Sequence, residues 1–178
     1  TLPEDVRRRM ARLLGVFVAA SLYLVAVYHG TNLYFARQTA FEAFILLGRG
    51  APNNLFPWLF WGGYVLLGAL LPMALLFHPR GAAPRSTLLA SALIVVGAFA
   101  LLFVFIIGGQ SFPLEIFPGY DVSSSFADGA VEMYTPRWPE WLLGFGGLGA
   151  AFLLTTLGVR VLDFLPQDDF VAPAAKAE

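Results

Sequence analysis

Ser86–Ile107 reads STLLASALIVVGAFALLFVFII. It holds no charge and no proline, and its few hydroxyls sit near its start. A helix apolar on every face is either deeply buried or spans a membrane. At about 1.5 Å per residue the run matches a hydrocarbon core of about 30 Å. Working outward, comparable runs appear at Leu13–Tyr34, Leu55–Phe77 and Glu140–Leu162. The composition agrees: the 178 residues are 58% hydrophobic and 13% charged, against about 25% charged in a soluble domain. The reading is an all-α integral membrane protein with four transmembrane helices in a single bundle over residues 1–166.

The second run contains two prolines. Pro57 suits a first helical turn, where a missing N–H costs nothing, whereas Pro72 lies inside and predicts a kink. Between the first two runs, Gln38–Asn54 carries an apolar stretch too short to cross. Thr39 and Glu42 have capping-box spacing and Gly48 is a suitable helix stop, so a short interfacial or re-entrant helix is expected. The chain begins TLPEDVRRRM, with neither an initiator methionine nor a cleavable signal, which suggests a fragment or a processed product. Residues 167–178 read as a flexible tail.

Lysine and arginine set the orientation. Four spans place Arg7, Arg8, Arg9, Arg12, Arg80, Arg85, Arg160 and Lys176 on one side, and Arg37, Arg49 and Arg137 on the other. The richer side is expected to be cytoplasmic, with both termini there, in a bacterial inner membrane. The loop 109–139 then faces outward. Its prolines and aromatics argue for an ordered cap that docks an extrinsic subunit through Glu115, Tyr120, Asp121, Tyr134, Arg137 and Trp138; a self-packing loop is the plainer alternative. In the fourth run, Gly146 with Ala150 and Gly147 with Ala151 give the small-residue spacing that lets membrane helices approach closely.

Several chemistries are excluded or narrowed. The net charge of −1 gives no sign of nucleic-acid binding. The absence of cysteine excludes disulfides, cysteine-ligated iron–sulfur clusters and covalent haem in this chain. The two histidines, His29 and His78, end spans of opposite direction. They lie about 30 Å apart across the bilayer and cannot clamp one haem. No metal, nucleophile–base or phosphate-loop spacing is present.

What remains is a polar group at the end of the first span. His29 and Asn32 share a helix face, with Tyr28 nearby and Tyr34 and Arg37 following. A histidine titrates near neutrality. With tyrosine and asparagine beside it, it is suited to hydrogen-bond a quinone carbonyl or relay a proton. The ordinary alternative is a helix end held by hydrogen bonds. Tyr64, in WGGYVLLG, is a further candidate, with two glycines leaving room for a cavity; the alternative is an aromatic of the interface belt.

Four segments carry a resemblance: RRRMARLLGVFVAASLYLVAVYH, FPWLFWGGYVLLGALLPMALLFHP, FIIGGQSFPLEIFPG and YTPRWPEWLLGFGGLGAAFLLTTLGVRVLDFLP. In order and spacing they resemble the C-terminal half of the NrfD/HybB-type family, the membrane subunits of polysulfide reductase, hydrogenase-2 and related complexes. GGQSFPLEIFPG looks most like the membrane subunit of the Dsr complex. The resemblance implies a respiratory-chain subunit, not catalytic alone, that exchanges electrons between menaquinone or ubiquinone and a ferredoxin-like iron–sulfur subunit on the outer face. It also implies other membrane and catalytic subunits, and no haem or cluster held by this chain itself. Family members are longer, and the pocket recognised in polysulfide-reductase-like members draws on their N-terminal bundle, so the resemblance transfers no quinone ligand here. A structural anchor without quinone chemistry, or part of a transporter, are the alternative readings.

Overall fold

The computed structural model describes residues 3–35, 38–78, 83–113, 129–132 and 134–162. The helices are α1 (Glu4–Tyr34), the short α2 (Thr39–Leu47), α3 (Leu55–Phe77), α4 (Pro84–Ser111) and α5 (Trp138–Val161). Four of these, all but α2, are long and apolar enough to cross a membrane. The chain is an all-α membrane protein. It divides into one unit over Pro3–Tyr134 and a second from Thr135 onward.

In the first unit α1, α3 and α4 run up, down and up. Ala11 near the start of α1 packs with Leu76 at the end of α3 and Ala90 near the start of α4. At the other end Phe56, Phe60 and Tyr64 of α3 meet Val104 of α4, and α2 folds back to add Phe44 and Ile45. Large apolar side chains such as Phe17, Leu24, Leu88 and Val96 point outward. Hydrocarbon accepts such a surface, provided the backbone bonds stay inside the helices. Helix α1 begins well before the apolar run, within the charged start. There Glu4 precedes Arg8 by one turn and pairs with it at 2.9 Å, an arrangement that also complements the helix dipole.

Helix α3 is unusual. From Trp58 to Leu70 it is a π-helix of 13 residues, flanked by α-helical turns. Its closing bond runs from the Leu71 N–H to the Leu66 carbonyl. Wide turns of this kind occur mostly as short bulges and often at functional sites. The register change also places Pro72 in the first turn of the following α-helical segment, where no N–H is needed. The expected kink at Pro72 is thus met by a change of register. Close packing accompanies it. A β-carbon built on Gly68 would lie 2.5 Å from the Cα of Gly97, and one on Gly63 would lie 2.9 Å from the Ala100 Cβ. Of the two glycines beside Tyr64, Gly63 therefore serves helix contact, while a β-carbon on Gly62 would meet only Trp58 of its own helix, at 3.9 Å.

Helix α2 ends at Gly48, whose φ of 70° is left-handed. Its N–H and that of Arg49 bond back to the carbonyls of Phe44 and Ala43. A β-carbon there would also meet Asn54 Oδ1 at 2.7 Å. Gly48→Ala is expected to cost about 1 kcal/mol or somewhat more. In a thermal scan of the detergent-solubilised protein this is a fall of about 2–4 °C; an unchanged midpoint would contradict it.

The second unit carries α5. Its entry residue Arg137 donates its backbone N–H to the Glu140 carboxylate at 2.8 Å, half of a capping box. The hydroxyls of Thr155 and Thr156 bond the carbonyls of Ala151 and Phe152, each at 2.8 Å. This satisfies both hydroxyls within the helix. Gly146 and Gly147 lie on this helix with Ala150 and Ala151. A β-carbon on either glycine meets no described atom within 4 Å.

Candidate functional site

The chemistry gathers where α1 ends and α2 folds back. His29 and Asn32 lie on one face of the last turns of α1, as three-residue spacing requires. Across from them α2 presents Glu42, which is 0% exposed. His29 Nδ1 lies 2.6 Å from Glu42 Oε2. Asn32 Nδ2 donates to the other oxygen, Oε1, at 2.7 Å. A buried carboxylate is costly unless paired and hydrogen-bonded, and here each oxygen has a partner.

His29 is itself 5% exposed. Its ring is enclosed by aromatics from three helices: Tyr28 of α1 at 5.1 Å, Phe60 of α3 at 4.8 Å and Phe105 of α4 at 5.6 Å between centroids. With Nδ1 engaged by Glu42, Nε2 is left buried without a hydrogen-bond partner among the described residues. The same holds for the Tyr64 hydroxyl. The Tyr64 ring adjoins Phe60 at 6.2 Å, so both unpartnered atoms belong to rings that touch one phenylalanine. Buried polar atoms are nearly always bonded to protein or to water. Two orphans around one ring are the polar set expected of a site for a small, flat ligand with polar ends. A quinone, with a carbonyl or hydroxyl at each end of a ring, fits that set.

The structure thus brings His29 and Asn32 together and buries Tyr64 in the core. Tyr64 is not an interface-belt aromatic. Tyr28 touches His29 but is half exposed, and Tyr34 is turned outward. The capping-box reading of Thr39 and Glu42 is overturned. The residue preceding the helix is Gln38, no side chain caps it, and the Glu42 carboxylate is committed to α1. Glu42 is therefore the site residue that the sequence reading missed. A signal was present: it is the lone charge in TAFEAFILL, one turn before Ile45 and so on the helix's buried face.

His78 ends α3 at its far end from Phe60, roughly 25 Å away along the helix at 1.5 Å per residue. It shares no site with His29. Of the loop residues, Glu115, Tyr120 and Asp121 lie outside the described residues, as do Arg37 and the tail 167–178. Tyr134, at the end of the first unit, and Trp138, in the second, are both exposed. Among the described residues no cluster of three potential metal ligands occurs.

Comparison with known proteins places these features. The model of the family described as polysulphide reductase, NrfD, matches residues 4–114, which include α1 to α4 and the whole polar site. An Hdr-like menaquinol oxidoreductase integral membrane subunit of Archaeoglobus fulgidus is 33% identical over 118 residues. The aligned region is 65% of this chain but only 30% of that protein. No solved structure matches.

Proposed function

This chain belongs to the NrfD, polysulphide reductase, family, and on that premise we propose that it is a quinone-linked membrane subunit of an oxidoreductase complex, with the quinone contacted at His29 and Tyr64. The observation that carries the reading is the pair of buried, unpartnered atoms, His29 Nε2 and Tyr64 Oη, on rings that both touch Phe60. The bound ring supplies the two-electron, two-proton chemistry of the quinone couple. The chain supplies the surroundings. Phe60 offers an aromatic contact, His29 exchanges a proton at Nε2, and Glu42 offsets the charge that appears on the imidazole. Asn32 holds the carboxylate in place. The name of the Archaeoglobus relative favours menaquinone as the species handled.

The excess of arginine on the other side supports a site toward the outer face with both termini cytoplasmic, and a bacterial inner membrane is the setting proposed. A ferredoxin-like iron–sulfur subunit docked over residues 109–139 would take up the electrons there, with Glu115, Tyr120, Asp121, Tyr134, Arg137 and Trp138 in its footprint. The Gly146, Gly147, Ala150, Ala151 face of α5 is suited to pack against another membrane helix of the complex.

Tyr64→Phe tests the quinone site with little disturbance. The hydroxyl has no bond among the described residues, so its loss leaves the fold intact. If it contacts the ligand, the affinity of the purified complex for dimethylnaphthoquinone falls about tenfold. An unchanged affinity would move the quinone site elsewhere.

A further inference from the structure

The bonding around His29 also bears on which redox form of the ligand the site recognises, and this step rests on the quinone reading above. An ionised carboxylate only accepts hydrogen bonds. Glu42 receives one from the Asn32 amide, which can only donate through Nδ2. With Glu42 ionised, its other oxygen, which faces Nδ1, requires the proton to sit on Nδ1. A neutral imidazole has one N–H and one lone pair. The lone pair is then at Nε2, the atom left without a partner. An aromatic enclosure gives that lone pair no alternative donor among the described side chains.

A quinone presents carbonyl oxygens, which are also acceptors. Facing Nε2 they would set two lone pairs against each other in a dry site. A hydroquinone presents O–H groups. We infer that Glu42 makes this a hydroquinone-selective site: by fixing the proton on Nδ1 it leaves His29 Nε2 as an acceptor that binds the hydroquinone hydroxyl and takes its proton. The bond broken is the hydroxyl O–H and the bond formed is Nε2–H. The positive charge on the ring is offset by Glu42. The two electrons leave to a one-electron carrier of a partner subunit, an iron–sulfur cluster in the reading above, and the second proton leaves from the other hydroxyl. Glu42 acts through His29 and is a positioning residue. It differs in this from Tyr64, whose hydroxyl both donates and accepts and so does not discriminate between the two forms.

The test compares two probes on the assembled, detergent-solubilised complex: dimethylnaphthoquinone, and the same molecule reduced to its hydroquinone under anaerobic conditions. The wild type is expected to bind the hydroquinone about tenfold more tightly than the quinone. Glu42→Gln removes the fixed acceptor, because a side-chain amide offers either a donor or an acceptor to Nδ1. The preference should fall to about twofold or less with both forms still bound. Nitrogen NMR of histidine-labelled protein supplies a readout that a loss of packing would not imitate: the wild-type His29 should carry its proton on Nδ1, and Glu42→Gln should change that tautomer. A preference for the quinone would mean that Nε2 carries a proton and is the donor, whether Glu42 is protonated or His29 is an imidazolium, and would overturn the inference. Equal binding of both forms to the wild type, or an undiminished preference in Glu42→Gln, would also overturn it while leaving a quinone site in place. If instead Tyr64→Phe and His29→Ala bind both probes as the wild type does, the quinone site itself is wrong, and the inference falls with it.

Discussion

Replacing His29 with alanine is expected to slow hydroquinone oxidation by the assembled complex about a hundredfold or more. A positioned acid–base group contributes about 10²–10⁴-fold, and no second imidazole is within reach, since His78 is at the far end of α3. The substitution also leaves the Glu42 carboxylate buried with only Asn32. Breaking a buried pair by removing one partner costs about 3–5 kcal/mol, so the yield of complex must be measured beside the rate. The double replacement His29→Phe with Glu42→Leu separates the two effects. It removes both partners at once, which is often close to neutral for stability, yet leaves no proton acceptor. Both variants should be slow, and the double variant should assemble better than His29→Ala. A rate within about twofold of wild type in a fully assembled complex would remove His29 from the chemistry.

Gly97→Val is expected to abolish the folded subunit. The α3–α4 crossing brings the backbones together: a β-carbon on Gly97 would fall against the Cα and N of Gly68, and one on Gly68 against the Cα and carbonyl carbon of Gly97. Backbone cannot swing aside as a side-chain tip does. Overpacking a core costs about 1–3 kcal/mol even where rotamers can give way, and here the helices themselves must part. Gly97→Ala should already lower the unfolding midpoint clearly, and Gly97→Val should leave no monodisperse protein after detergent extraction. Gly30→Ala is the matched control, since a β-carbon there meets no described atom within 4 Å; it should be neutral or slightly stabilising, as alanine generally is in helices. Equal yields of Gly97→Val and wild type would show that the crossing can open.

The four spans were legible because hydrocarbon imposes a length and a composition on any helix that crosses it, and both are written locally. His29 and Asn32 were legible as a pair because they share one helix. Glu42 was not, because its partners lie on another helix, and the local capping-box spacing with Thr39 offered a competing account of the same carboxylate. The glycines of GFGGLGAA drew the reading to α5 by their density. The contact that the structure does show, Gly68 on Gly97, joins one glycine from each of two helices, and spacing within a single helix cannot reveal it. The π-helical stretch of α3 has no sequence signature comparable to a cap or a turn; only Pro72 hinted at an irregularity, and its effect is a register change. Tyr64 was visible as a candidate, but its depth depends on α4 closing over it.

The fold-back of α2 has a consequence for how the chain is made. Polytopic chains enter the bilayer in order, from the N-terminus. Glu42 emerges soon after His29 and can find it early, since the two are near neighbours in sequence. The rest of their enclosure, Phe60 and then Phe105, belongs to helices synthesised later. Until α4 arrives, the carboxylate and imidazole hold each other at the membrane boundary with one side open. Their bonds hold the short apolar segment α2 against the end of α1. The same contact that is proposed to serve proton exchange thus also ties α2 back to the end of α1.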